Sequence, residues 1–212
     1  MSTKKWQFDD EVASRFYTEA TSNIPDYEKV IALCDQELKQ AMPADALILD
    51  VGSAIGHTVA TLSTRGWSNV HGLEKSASMA AASAMPDRTY VGDSIPAGSQ
   101  WHAILINWTL HFIQNKTEFL QQVKNALLPG GVLIISDKVE YTQDEEAEYY
   151  RFKRTQGLSD EYIQQKAKAL EGVMFLKPEL WYFETLSTLG FTNVSIRNSR
   201  YMFKTFVCTQ PK

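Results

Sequence analysis

The sequence has few of the features that mark metal-binding or disulfide-linked proteins. Of its 212 residues only two are cysteines, Cys34 and Cys208, which lie far apart in the chain and in no Cys-x-x-Cys pair. This usage is typical of free thiols in a reducing compartment. We therefore expect two buried or idle thiols and no metal site.

Long hydrophobic runs and an excess of basic charge are also missing. No apolar stretch approaches the roughly 20 residues that span a bilayer, and no apolar segment of a signal peptide follows Lys4 and Lys5. The chain has 21 basic and 25 acidic residues, so its net charge is negative, which is the wrong sign for non-specific phosphate binding. We expect a cytoplasmic protein that acts on a small molecule, with no membrane and no nucleic acid as its partner.

The composition that remains is that of one globular domain. Hydrophobic residues make up 44% of the chain and charged residues 22%, with no internal repeat or linker-like tract. A single domain commonly has this length. We therefore predict one domain over residues 1–212.

Helix-like and strand-like patterns alternate along the chain. Strands are predicted at 46–51, 69–74, 89–91, 102–107, 132–137, 193–197 and 202–209. Helices are predicted at 26–40, 58–64, 76–84, 116–128, 143–156 and 159–171, with one more between Pro178 and Gly190. Such alternation predicts a parallel sheet covered by helices, and the tight connection between the last two strands requires one of them to run antiparallel.

The predicted fold class is therefore α/β, with a Rossmann-like, seven-stranded, mostly parallel sheet and an antiparallel C-terminal strand. Residues 1–44 form N-terminal helices in this prediction. Residues 138–177 form a helical lid at the sheet edge where open α/β folds bind ligands. The mixed charge of this insertion favours a solvated lid or dimer surface over an RNA groove.

The turn after the first predicted strand carries the clearest chemical signal. It runs from Asp50 to Gly56, and its glycines let the backbone approach a ligand at a helix N-terminus. Glu74 ends the second strand, where an acid can accept hydrogen bonds from both hydroxyls of a ribose. Gly52 and Gly56 are four residues apart, so Gly-x-Gly-x-x-Gly is absent, which counts against NAD.

The pattern Asp-x-Gly-x-x-x-Gly, followed by an acid at the end of strand two, resembles the class I S-adenosylmethionine-dependent methyltransferases. Segments 72–79, 91–94, 106–112 and 127–131 resemble further motifs of that family in the same order. The resemblance implies S-adenosylmethionine as cofactor, or S-adenosylhomocysteine as bound product. The implied cofactor-binding residues are Tyr27, Asp50, Gly52, Ser53, Gly56, Glu74, Lys75, Met79, Asp93, Ser94 and Asn107.

Three other residues are candidates for the substrate side of the site. Trp108 can form a wall of the site or fill the core, and Arg154 lies in a mixed aromatic and basic run. His111 is a candidate general base, because histidine titrates near neutral pH. The equally weighted alternative is that His111 only packs in the core or lies at the surface.

A narrower resemblance is to the carboxy-S-adenosylmethionine synthases of tRNA wobble-uridine modification. Segments 6–13, 107–112, 136–138 and 152–174 are similar to theirs. The resemblance implies a homodimer. Those enzymes use S-adenosylmethionine and prephenate, and an arginine after a Gln-Lys pair grips the added carboxylate. Here that residue is Ala167, which supplies no charge to a carboxylate.

We therefore expect methyl transfer from S-adenosylmethionine to an unidentified small-molecule acceptor. Synthase-like carboxyl chemistry is the first alternative. A non-catalytic protein that binds S-adenosylmethionine is the second.

Overall fold

A seven-stranded sheet forms the centre of the protein, whose computed structural model describes residues 9–212. Residues 6–8 of the synthase-like N-terminal segment lie outside the described residues. The strands are β1 (Leu47–Val51), β2 (Asn69–Glu74), β3 (Thr89–Val91), β4 (Trp101–Asn107), β5 (Leu127–Lys138), β6 (Thr192–Arg200) and β7 (Phe203–Thr209).

The strand order is β3-β2-β1-β4-β5-β7-β6. Every neighbouring pair from β3 to β5 is parallel, whereas β7 runs antiparallel to both β5 and β6. The predicted fold class is confirmed.

The helices fill the connections between the strands. They are α1 (Asp10–Asn23), α2 (Tyr27–Ala41), α3 (His57–Thr64), α4 (Ala77–Ala81), α5 (Lys116–Ala126), α6 (Gln143–Thr155), α7 (Asp160–Leu170) and α8 (Glu179–Thr188). Local sequence explains several of their starts. At α6, the Thr142 hydroxyl accepts from the Glu145 N–H while Glu145 Oε2 accepts from the Thr142 N–H, which is a complete capping box. No helix within residues 9–212 has the length and apolarity that a membrane span requires.

The central strands bury apolar side chains on both faces. Leu49, Ile104 and Leu133 pack on one face, and Ile48 and Leu105 pack in a separate cluster on the other. Successive strand residues point to opposite faces, so strands covered by helices on both sides have continuous apolar runs. This packing holds the carboxyl ends of β1, β2, β4 and β5 at one edge of the sheet.

The largest departure from the predicted elements is at β5. The Pro129-Gly130-Gly131 segment, expected as a stop between helix and strand, lies within the strand itself. The Gly130 N–H donates to the Gln210 carbonyl at 2.9 Å, and the Gln210 N–H donates to the Gly131 carbonyl at 2.8 Å. Pairing with the distant C-terminal segment therefore extends the strand through a sequence that locally favours a turn.

Candidate cofactor and substrate site

A cavity of about 840 Å³ lies where the carboxyl ends of β1, β2, β4 and β5 face α1, α6 and α7. Residues from all of these elements line it, so one cavity collects the ends of four strands. Most of the residues predicted from the sequence line it: Tyr27, Asp50, Gly52, Ser53, Glu74, Lys75, Asp93, Asn107, Trp108 and His111.

Four predicted residues do not line the cavity: Gly56, Met79, Ser94 and Arg154. Gly56 has φ 72°, and a Cβ there would meet Ser83 Oγ at 2.3 Å, so this glycine shapes the turn into α3. Met79 is fully buried, and Ser94 is exposed. The Arg154 guanidinium pairs with Asp160 at 2.7 Å. Contacts of these four with a ligand stay predictions.

The turn after β1 contains three residues with left-handed backbone conformations, Gly52, Ala54 and Gly56. Gly52 has φ 71°, and a Cβ on it would lie 2.1 Å from Thr109 Oγ1, so only glycine fits. Ala54 has φ 49° and donates its N–H to Glu74 Oε2 at 2.8 Å. The Ser76 N–H donates to the other oxygen, Oε1, at 2.7 Å. These bonds fix the Glu74 carboxylate at the cavity wall, and each oxygen keeps a second acceptor position.

Asp50 is the most deeply buried acid at this wall, with only 2% of its surface exposed. Burial, followed by the nearby charge of Glu74, raises the pKa of Asp50 to about 8, although a hydrogen bond from Thr58 acts in the opposite direction. A positive charge in the cavity would favour the ionised carboxylate. The site therefore suits a ligand that carries positive charge close to Asp50.

Two polar groups at the same wall lack a protein partner. Ser53 Oγ and Asn107 Nδ2 are buried, and neither has a hydrogen bond to another group of residues 9–212. A buried donor or acceptor without a partner costs about 1–3 kcal/mol. Both residues line the cavity, so a polar ligand there would satisfy them.

Tyr27 and Trp108 form an aromatic wall. Their rings stack at 4.6 Å between centroids with 21° between the planes. Trp108 has φ 52°, and its N–H donates to the Ser136 carbonyl at 2.6 Å. The loop after β4 thus holds the indole ring against α2.

His111 forms a buried hydrogen-bonded chain with Asp137 and Tyr182. Its Nδ1 is hydrogen-bonded to Asp137 Oδ1, which also accepts from the His111 backbone N–H at 3.2 Å. The Tyr182 hydroxyl donates to Asp137 Oδ2 at 2.6 Å, and burial with the Asp137 charge raises the pKa of Tyr182. This geometry assigns a proton to Nδ1 and leaves the Nε2 lone pair free, since no group of residues 9–212 bonds to Nε2.

Several lining residues were not predicted: Thr58, Thr109, Lys138, Tyr149 and Lys153. Asp137, which orients His111, was missed as well. Asp137 and Lys138 end β5 as Glu74 ends β2, so their position at a strand end was a usable signal. Tyr149 and Lys153 belong to the same mixed aromatic and basic run as Arg154, but only the packing of α6 brings them to the cavity.

Ala167 does not line the cavity. It lies on α7 and lines a neighbouring groove with Tyr141 and Glu146. The position at which the synthases have their arginine therefore adds nothing to the lining of the 840 Å³ cavity.

A sequence profile of the methyltransferase domain family matches residues 27–172, which include the turn after β1, Glu74 and the loop after β4. This chain belongs to the methyltransferase domain family. The prediction of a class I S-adenosylmethionine-dependent methyltransferase is confirmed. In this methyltransferase, the glycine turn and the β2 acid lie where the sequence pattern placed them.

The methyltransferase also resembles named relatives along nearly its whole length. It is 27% identical to the carboxy-S-adenosyl-L-methionine synthase of Shewanella denitrificans over 95% of this chain and 91% of that protein. It is 28% identical to the synthase of Helicobacter hepaticus over 91% of this chain and 90% of that one.

Solved structures share its fold. A putative S-adenosyl-L-methionine-dependent methyltransferase from Methanococcus maripaludis superposes with a TM-score of 0.66 at 15% identity, covering 100% of this chain and 98% of that one. Magnesium protoporphyrin IX methyltransferase from Synechocystis, solved with bound S-adenosylhomocysteine, gives a TM-score of 0.69 at 11% identity, with 96% of each chain covered.

Proposed function

We propose that this methyltransferase transfers the methyl group of S-adenosylmethionine to a small-molecule acceptor. The observation that carries the proposal is the set of unsatisfied groups at one wall of the cavity. The buried Ser53 Oγ and Asn107 Nδ2 lack protein partners, and they line the cavity together with Glu74 and Asp50. This set offers acceptors for ribose hydroxyls, polar contacts for an amino-acid moiety and a carboxyl for a positive charge.

Each part of the cofactor has a chemically matched group in this arrangement. The Glu74 carboxylate would accept from the ribose hydroxyls. Ser53 and Asn107 would bond the polar atoms of the methionine moiety. Asp50 would lie near the positive charge, and Lys75 and Asp93, ion-paired at 3.4 Å, would border the adenosine side. The bound cofactor supplies a methyl group that its sulfonium already activates, so the protein has to align the acceptor and exclude water.

We assign His111 as the base that removes a proton from the acceptor. Asp137 holds the Nδ1 side of the ring, which leaves Nε2 free to accept a proton. His111 lines the same cavity as the cofactor residues. A histidine oriented by a carboxylate in this way is a common general base.

The alternative is carboxyl chemistry like that of the synthases. The full-length similarity to proteins named carboxy-S-adenosyl-L-methionine synthase favours it. Ala167 counts against it, because no guanidinium is available at that position for an added carboxylate.

Mass spectrometry of ligand released from the purified protein tests the proposal. We expect S-adenosylmethionine or S-adenosylhomocysteine. A cofactor heavier by one carboxyl group, together with phenylpyruvate formed from S-adenosylmethionine and prephenate, would establish the alternative. Binding of S-adenosylmethionine without methyl transfer across a broad panel of small acceptors would favour a non-catalytic binding protein.

We also infer a cytoplasmic homodimer, on the basis of the family resemblance. Light scattering coupled to size-exclusion chromatography tests the oligomeric state, with a mass near twice 24.0 kDa expected. A single 24.0 kDa species at micromolar concentration would contradict it.

A further inference from the structure

Two lysines lie buried at the wall of the cavity. Lys138 ends β5 and is 9% exposed, and Lys153 lies on α6 and is 4% exposed. Both line the cavity. Lysine normally keeps its ammonium group in water, and an unpaired buried charge is costly. Two such residues at one wall therefore require an explanation.

Aromatic rings rather than carboxylates surround the two ammonium groups. Lys138 Nζ lies 4.7 Å from the centre of the Tyr141 ring and 5.3 Å from that of Tyr149. Lys153 Nζ lies 4.6 Å from the centre of the same Tyr149 ring. Within residues 9–212 neither ammonium has an ion pair or a hydrogen bond. Cation–π contacts therefore stabilise the pair without supplying an acceptor.

The nearest charged groups do not neutralise the pair. Glu146 accepts from two tyrosine hydroxyls at 3.1 and 3.3 Å, and Glu19 pairs with Lys166. Burial, with the charges of Lys138 and Lys166, outweighs these two acids and lowers the pKa of Lys153 to about 7. Burial lowers the pKa of Lys138 to about 8. An anion beside the pair would raise both values and hold both groups charged.

The lysine pair lies on the side of the cavity away from Glu74, the proposed ribose acceptor. Glu74 ends β2, Lys138 ends β5, and β1 and β4 lie between these strands. Three strand spacings separate them by roughly 14 Å. His111 follows β4, between the two ends. Along this edge of the sheet, Glu74 lies at one end, His111 in the middle and the lysine pair at the other end.

We propose that Lys138 and Lys153 bind an anionic group of the methyl acceptor, either a carboxylate or a phosphate. Tyr149, Phe175 and Phe203 line the cavity with them, and these rings suit an apolar acceptor body. The inference rests on the proposed function and narrows it to amphipathic anions. It assigns an acceptor subsite to residues of β5 and α6.

Calorimetric titration of phenyl phosphate and phenylacetate into the protein saturated with S-adenosylhomocysteine tests the proposal, with benzyl alcohol as the uncharged probe. We expect at least one anionic probe to bind at pH 6.5 and benzyl alcohol to bind at least about tenfold more weakly, since hydrogen bonds to charged groups are stronger than those between neutral groups. The probe that binds more tightly, phenyl phosphate or phenylacetate, identifies whether the site prefers a phosphate or a carboxylate. Affinity should fall as the pH rises through about 7, where Lys153 loses its proton.

Lys153→Met and Lys138→Met keep the apolar stem and remove the charge. Each substitution should weaken binding of the anionic probe at least about tenfold. The affinity for S-adenosylhomocysteine should stay within about twofold of the wild-type value. Lys168→Met is the matched control, because Lys168 is exposed on α7 and does not line the cavity. Lys153→Gln repeats the comparison if the methionine variant does not fold.

Two results would overturn the inference. One is an anionic probe that binds wild type and Lys153→Met equally, or binds neither. The other is a large loss of S-adenosylhomocysteine affinity in Lys153→Met, which would assign the lysine to the cofactor carboxylate. If wild type does not bind S-adenosylhomocysteine, the titration is repeated on the free protein. The missing cofactor binding would contradict the proposed function. Charge-dependent binding of the probe to the free protein would still support the anion site.

Discussion

The backbone N–H of Ala54 donates a 2.8 Å hydrogen bond to Oε2 of Glu74. The acid at the end of β2 therefore anchors the turn after β1, in addition to facing the cavity. Ala54 adopts φ 49° in that turn, a conformation that costs a non-glycine residue about 1–2 kcal/mol. The bond to Glu74 offsets part of that cost, so the carboxylate that we propose as the ribose acceptor also holds the shape of the turn.

Glu74→Ala should weaken S-adenosylhomocysteine binding by about 2 kcal/mol, or roughly 30-fold, because the ribose hydroxyls lose a charged acceptor. Glu74→Gln retains one acceptor oxygen, so its affinity for S-adenosylhomocysteine should lie between those of the wild type and Glu74→Ala. Isothermal titration calorimetry measures both. Glu118→Ala removes an exposed acid on α5 outside the cavity and serves as control. Wild-type affinity in Glu74→Ala would remove this residue from the site.

Binding of S-adenosylmethionine should strengthen as the pH rises through about 8, the raised pKa of Asp50. The ionised carboxylate attracts the sulfonium, and the protonated one does not. S-adenosylhomocysteine lacks the sulfonium, so its affinity should depend less on pH over the same range. Titrations of both ligands at pH 6.5 and 9 measure the difference. Identical pH dependence for the two ligands would place Asp50 away from the sulfonium.

Asp50→Asn should stabilise the ligand-free protein above neutral pH. The folded pKa of Asp50 lies above its ordinary value, so the folded state binds more protons than the unfolded state between about pH 4 and 8. Wild-type stability therefore falls over that range as the pH rises, and the amide removes the loss. Thermal unfolding at pH 5 and 8.5 should show a gain for the variant that is larger at pH 8.5. A gain of equal size at both values would contradict the assignment.

Asp137→Asn should abolish methyl transfer by changing the proton on His111, once an acceptor is known. ¹⁵N NMR of the imidazole ring provides a test that needs no acceptor. In the neutral ring we expect wild-type His111 to carry its proton on Nδ1, because Asp137 Oδ1 accepts it. An asparagine no longer fixes that tautomer. A neutral wild-type ring with its proton on Nε2 would exclude His111 as the base.

Tyr182→Phe should destabilise the protein by about 1–3 kcal/mol, because Asp137 Oδ2 loses its buried donor. The ring stack of Tyr182 on Phe206, at 4.6 Å and 6°, is retained by phenylalanine. Urea unfolding measures the change. Tyr90→Phe is the control, since Tyr90 is exposed on β3. Equal stability of both variants would show that the Tyr182 hydroxyl contributes nothing to the Asp137 site.

The strand ends were readable from the sequence because their signals are local. Continuous apolar runs mark β1, β4 and β5 as strands buried on both faces. Asp50 is the last residue but one of β1, and Glu74 ends β2. Parallel strands bring their carboxyl ends to one edge of the sheet. The sequence therefore predicts Asp50, Glu74 and Asn107 in one site, and all three line the cavity. The helix and strand boundaries were less accurate where distant segments pair, as β5 does with Gln210.

The sequence by itself determined the family, the sheet and the wall of the cavity that Asp50, Glu74 and Asn107 line, since those depend on spacing along single strands and turns. Only the tertiary structure decided the other side. It brings Tyr182 of α8 to Asp137, and it places Lys153 of α6 beside the same aromatic ring as Lys138 of β5. It also places Ala167 outside the cavity. These contacts join segments that are separate in the chain, so their geometry is set by packing between elements.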